Sequence, residues 1–143
     1  MADASPTPAS VVAGSDAQID SGYKYGATVV AGDVVYKDTT QSPPRWELAQ
    51  ADGTALEAGS AGLGIALNGG GDGQPGDVQV GGSITPGFTA VEGTIYVVSN
   101  GAGNMMPIAD LLTATWYCSI VGVGTGTGDI KLRPYASGEQ IPA

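Results

Sequence analysis

From about Ala27 to Arg133 the chain is a succession of short β-branched and aromatic runs, each cut off by glycine, proline or asparagine. Such punctuation leaves little room for helix and implies many short strands joined by tight turns. The 24 glycines supply the turns, and only Pro107 to Leu112 reads as a helical turn. The fold expected is all-β, a small barrel, tulip-like or sandwich body with at most one short helical turn.

The runs can be assigned to faces by their two-residue period. Thr28 to Val30 and Asp33 to Lys37 flank Gly32, and Arg45 to Ala49 alternates with Trp46 and Leu48 on one face. Leu63 to Leu67 is a compact apolar strand. Val78 and Val80 alternate with Asp77 and Gln79, which predicts a half-exposed strand, and Ser83 to Thr85 makes another short one. In Thr94 to Ser99, Ile95 and Val97 share one face, and Tyr96 and Val98 share the other. A strand apolar on both faces must be covered twice, so Tyr96, Val98 and Tyr117 become candidates for a subunit interface. Thr115 to Val123 is the longest strand candidate. Asp129 to Arg133 returns with Ile130 and Leu132 inward, and the polar tail from Pro134 is expected to be ordered only in part.

Ahead of this body, residues 1–22 are rich in alanine, serine, proline and aspartate. Pro6 and Pro8 oppose a regular helix. The segment reads as an extended N-terminal arm attached to a β-rich domain of residues 23–143, with strand pieces near Val11–Val12 and Ala17–Ile19. An arm of this length is expected to order on a neighbouring molecule rather than on its own surface. Val11, Val12 and Ile19 are its apolar anchors, the candidate contacts to a larger partner.

Composition restricts the chemistry. The 143 residues suit one domain, which buries roughly 68–70% of its unfolded surface. There are no histidines, one cysteine and five basic residues, and the net charge is -9. Scattered lysines and arginines on an acidic chain argue against nucleic-acid binding, which needs clustered cations. Cys118 has no partner for an intrachain disulfide and lies in an apolar run, where it reads as a small buried hydrophobe. Met1 to Ser10 lack the features of a signal peptide, and no apolar run approaches the ~20 residues that span a bilayer.

Motifs that could carry chemistry have plainer readings. Gly122 to Gly128 lacks the third glycine, the following helix and the Gly-Lys-Ser/Thr ending of nucleotide loops, so it reads as a hairpin turn. Asn68 to Asp77 offers two carboxylates among glycines, too few for a tight calcium site, and reads as a structural loop. The acidic residues show no pairing that marks a glycosidase. Trp46, Trp116, Tyr96 and Tyr117 could form a sugar platform, but Trp46 and Trp116 fall on the inward side of their strands. No catalytic residue, cofactor or metal ligand is expected.

Several phrases resemble the head-decoration, or capsid cement, proteins of tailed bacteriophages. They include Ala31-Gly-Asp-Val-Val-Tyr-Lys-Asp38, Leu63-Gly-Ile-Ala-Leu-Asn-Gly69, Gly73-Gln-Pro75 leading into Val78-Gln-Val80, and Gly93-Thr-Ile-Tyr-Val-Val-Ser99. Ile108-Ala-Asp-Leu111, Trp116-Tyr117, Gly122-Val-Gly124, Ile130-Lys-Leu132 and Ala136-Ser-Gly138 follow in order. The resemblance spans roughly Val11 to Gly138 and is carried by sequence order, since each phrase alone is a strand with its turn. It implies a virion protein that binds major capsid protein on the outside of an icosahedral shell, as a homotrimer, with no membrane, nucleic acid or catalytic residues. A receptor- or glycan-binding domain of a phage fibre is the alternative. Deleting the arm is expected to abolish shell binding and leave a folded body.

Overall fold

The computed structural model describes residues 3–4, 6–111 and 115–141. In chain order the strands are β1 (Val11–Ala13), β2 (Gln18–Asp20), β3 (Lys24–Tyr25), β4 (Val34–Asp38), β5 (Arg45–Leu48), β6 (Leu63–Ala66), β7 (Val78–Pro86), β8 (Ile95–Val98), β9 (Met105–Pro107), β10 (Tyr117–Gly124) and β11 (Ile130–Gln140). They form one sheet in the order β3-β5-β4-β6-β7-β11-β10-β8-β9, with β1 and β2 both added along β7. Single 3-10 turns lie at Pro8–Ser10 and Ile108–Asp110. The second falls where the helical turn was expected; Leu112, the last residue of that expectation, lies outside the described residues, as does Met1 at the start of the arm.

β7 organises the sheet because it carries two adjacent glycines in mid-strand. Without side chains to pack, glycine permits a sharp bend, and Gly82 takes φ +86°. Before the bend, β7 pairs with β6 and β2; after it, with β11 and β1. The runs Val78–Val80 and Ser83–Thr85 are therefore one bent strand. Gln79, expected at the surface, is fully buried. Its Nε2 donates to the carbonyls of Gly81 and Ser83, at 3.0 and 2.8 Å, on either side of Gly82. These bonds satisfy Nε2 and the two carbonyls at the bend, whereas the buried Oε1 has no hydrogen-bond partner among the described residues.

The bend folds the two halves of the sheet onto one core. Val34, Tyr36 and Ile65 come from one half, and Ile84, Tyr96, Val98 and Ile130 from the other. Alternate residues of the same strands point away from it. Val35 joins Tyr25, Trp46 and Val78 in an outer cluster, and Val97 joins Met106 and Leu111 in another. No ladder joins β3 to β9 among the described residues, so the sheet is open and sandwich-like. Backbone bonds stitch its ends together: Val34 N–H to Gly103 O at 2.8 Å, Gly103 N–H to Ala49 O at 2.9 Å, and Ala51 N–H to Ser99 O at 2.9 Å.

Two expectations about the termini need correction. The last strand does not stop at Arg133, and the tail from Pro134, expected to be ordered only in part, continues β11 to Gln140 along β10, where Ile120 opposes Tyr135 and Tyr117 opposes Gln140. The arm is extended, as expected, but it lies on its own body. Val11, Val12 and Ala13 oppose Pro86, Thr85 and Ile84, and Gln18 to Asp20 run along Gly81 to Val78. Ala4 N–H donates to Met105 O at 2.9 Å, and Ser99 Oγ donates to the Asp3 carboxylate at 2.5 Å. The physical reason is β7 itself: it is long, and its free edge would leave a row of backbone groups unpaired.

Candidate functional site

The proposed anchor and interface residues separate by burial. Val12 and Ile19 are 57% and 49% exposed, on strands paired only with β7. Val11 turns inward and packs against the main core, so it is not a free anchor. Tyr96 and Val98 are also corrected: at 3% and 0% exposure they belong to that core and cannot meet another subunit. Both faces of β8 are indeed apolar, but the chain covers both itself, Val97 facing Met106 and Leu111. Tyr117 is half-buried. The four aromatic residues named for a sugar platform do not form one exposed face: Trp46 and Tyr96 are buried in different clusters, and Trp116, half-buried, packs against the core that holds Tyr96.

The loops named in the sequence use their polar groups internally. Asn68 Oδ1 accepts from Tyr25 Oη at 2.7 Å and from Asp77 N–H at 2.9 Å. Arg45 donates to Asp72 at 2.6 Å. These bonds fit the structural-loop reading of Asn68 to Asp77. Burial pushes the Tyr25 hydroxyl up to about 12, with Asp77 and Asp33 adding to the shift. Of the Gly122 to Gly128 run read as a hairpin turn, Gly122 to Gly124 instead end β10, opposite Leu132 to Ile130, and the turn proper is Thr125 to Asp129. Cys118 is half-buried and packs against the cluster of Val97, Met106 and Leu111.

One acid pair has divergent environments. Gln41 Nε2 donates to Asp38 Oδ2 at 3.0 Å and to Glu47 Oε2 at 2.7 Å. Hydrogen bonds from Thr40 and Gln41 hold Asp38 low, whereas desolvation raises Glu47. The shared amide explains the arrangement as a clasp for the loop between β4 and β5.

A groove lies over the bend of β7. It consists of two adjoining depressions of about 500 and about 460 Å3 that share Val80 and Pro134. Lys37, Lys131 and Arg133 line it, three of the five basic residues in a chain of net charge -9. In the sequence only Lys131 and Arg133 are close; the fold adds Lys37 to the same groove. The available signal was the Gly81-Gly82 pair, which marks a bend or a close backbone approach.

At one end of the groove, Lys131 Nζ donates to Asp16 Oδ2 at 2.6 Å, and Ser83 N–H donates to Asp16 Oδ1 at 2.8 Å. At the other, Lys37 Nζ lies 4.8 Å from the Tyr23 ring centroid and 5.5 Å from that of Trp46, with Asp20 at 3.9 Å. Trp46 is 1% exposed and its Nε1 has no hydrogen-bond partner.

The Asp16 clasp predicts an acid-limb signature. The Lys131 hydrogen bond, then that from Ser83, lowers the Asp16 pKa from 3.8 to about 2. Because the folded value lies below the unfolded one, the clasp contributes stability above about pH 4 and loses it as pH falls toward 2. Asp16→Asn should therefore lower the urea midpoint at pH 6, with the difference from wild type shrinking between pH 4 and pH 2. A difference independent of pH across that window would contradict the assignment.

Comparison with family models, with curated proteins and with solved structures returned no match for this chain. No helix among the described residues is long and apolar enough to cross a membrane.

Proposed function

We propose that this protein is a structural decoration, or cement, protein of a tailed-phage head, binding major capsid protein on the outer shell surface as a homotrimer. The observation that carries this reading is the edge formed by β1 and β2. Both strands pair with β7 alone, which leaves their outer edge without a ladder among the described residues. Val12 and Ile19 project from these strands into solvent. An open edge with outward apolar side chains is a template for strand addition by a second protein.

The energetics favour such a role for a small, weakly charged β body. A ligand that binds only the assembled shell stabilises it by mass action, and several weak contacts within one trimer add through high effective concentration. The acidic chain is poorly suited to direct contact with packaged DNA. Trimer contacts in this reading involve surface side chains other than Tyr96 and Val98.

The test is occupancy on expanded heads prepared without the protein and then supplied with it. Val12→Asp with Ile19→Asp places charge in a desolvated contact, which should reduce apparent affinity by about a hundredfold or more. The thermal midpoint of the isolated chain should change little, since both side chains are already exposed. Full occupancy by the double variant would overturn the assignment of this edge.

A further inference from the structure

We propose that the groove over the β7 bend is a second binding site, which takes an extended acidic peptide segment by strand addition to β11. This goes beyond the container-binding edge: it lies along the other edge of β7 and concerns a different partner segment.

The pairing pattern opens a strand edge there. β11 pairs with β7 only through Leu132, opposite Gly82. From Gln79 backward, β6 occupies that edge of β7 instead. β11 nevertheless continues to Gln140, paired with β10 on its other side. Beyond Leu132, its edge toward the groove has no ladder partner among the described residues. Such an edge is a template for another extended chain.

The walls suit a peptide backbone. Gly81 and Gly82 line one depression, and Gly59 to Gly62 line the other. Glycine-rich walls carry few side chains to hold an incoming backbone away. Val80, Leu63 and Pro134 provide apolar contact between them. Two depressions meeting end to end over a shared border fit an extended segment better than a single compact molecule.

Charge selects the occupant. Lys131 and Lys37 stand at opposite ends, near Asp16 and Asp20 respectively. Arg133 is exposed and makes no ion pair among the described residues. A carboxylate on the incoming segment would gain a charge-assisted bond from it. A short acidic peptide needs few cations: Lys131 and Lys37 already face Asp16 and Asp20, which leaves Arg133 to bind its carboxylate. A long polyanion such as DNA would extend past them onto a surface of net charge -9.

The test uses a fluorescein-labelled octapeptide of alternating valine and glutamate, titrated with the full chain by fluorescence polarisation. Three comparisons accompany it: the same peptide with lysine for glutamate, the same peptide N-methylated at alternate residues, and a single-stranded DNA oligonucleotide. Saturable binding of the valine–glutamate peptide is expected, weakened about tenfold by Arg133→Ala, with neither the lysine nor the N-methylated peptide binding. Arg133 is exposed, so its variant should keep the wild-type thermal midpoint, checked in parallel. Absence of binding, equal binding of the N-methylated peptide, or equal binding of DNA would overturn the proposal. So would an oligomer of the chain that Arg133→Ala dissociates while the peptide fails to bind, since the groove would then belong to a second copy.

Discussion

Replacing Gly82 by alanine is expected to destabilise the protein by about 2–5 kcal/mol, from two separable sources. Gly82 sits at φ +86°, where an L residue is strained by roughly 1–2 kcal/mol. A Cβ there would also meet the carbonyl group of Asp16 and lie 2.9 Å from Ala17 Cα. Both neighbours are backbone, so they yield only if β2 moves away from β7, an overpacking cost of roughly 1–3 kcal/mol. Gly93→Ala is the matched control: Gly93 has φ +78°, but nothing lies within 4 Å of its added Cβ. Urea denaturation should show the control losing only the strain component, about 1–2 kcal/mol. Equal losses in the two variants would mean that the close approach of β2 to the β7 bend is not a source of stability.

Removing residues 1–22 should prevent cooperative folding instead of releasing an intact body. The truncated chain loses both ladders on the free edge of β7, the packing of Val11 on the main core and the bonds of Asp3 to Ser99 and Asn104. Backbone bonds contribute roughly 0.5–1.5 kcal/mol each, and burying a valine roughly 1.5 kcal/mol or more. Their sum, on the order of 5 kcal/mol or more, is comparable with the whole stability of a typical domain, about 5–15 kcal/mol. The truncated chain should lose its near-ultraviolet circular dichroism and show a broad urea transition. A sharp transition at the wild-type midpoint would show that the N-terminal strands are dispensable. Loss of shell binding on truncation would consequently report unfolding, which is why the surface substitutions Val12→Asp and Ile19→Asp are the informative test of the edge.

The strands of the body could be read from the sequence because alternation of apolar side chains records which face is buried. The opposed placements of Tyr96 and Val98 against Ile95 and Val97 on β8 follow from that period. The identity of whatever covers each face does not. Val97 needs an apolar neighbour, and nothing local distinguishes another subunit from Met106 and Leu111 of the same chain. The arm failed for the same reason: β1 and β2 are short and stabilised by pairing with residues about sixty to seventy-five positions away. Gln79 was misplaced because simple alternation assumes a straight strand, whereas the bend at Gly82 brings it between carbonyls that need a donor. The groove depends on bringing Lys37 of β4 to the same surface as Lys131 and Arg133 of β11, which are distant from it in sequence and pass over the bend; only the Gly81-Gly82 pair hinted at it.

The claim on which the functional account rests is that the protein acts by holding an assembled shell together. The most direct measurement is the temperature at which DNA escapes from heads lacking the protein, heads saturated with it, and heads exposed to the Val12→Asp, Ile19→Asp double variant. The account predicts that saturation raises the release temperature, with protein density visible on the outer lattice by cryo-EM, and that the double variant leaves the temperature at that of bare heads. Release at the same temperature with and without bound protein, or the absence of outer density at saturating concentration, would contradict it.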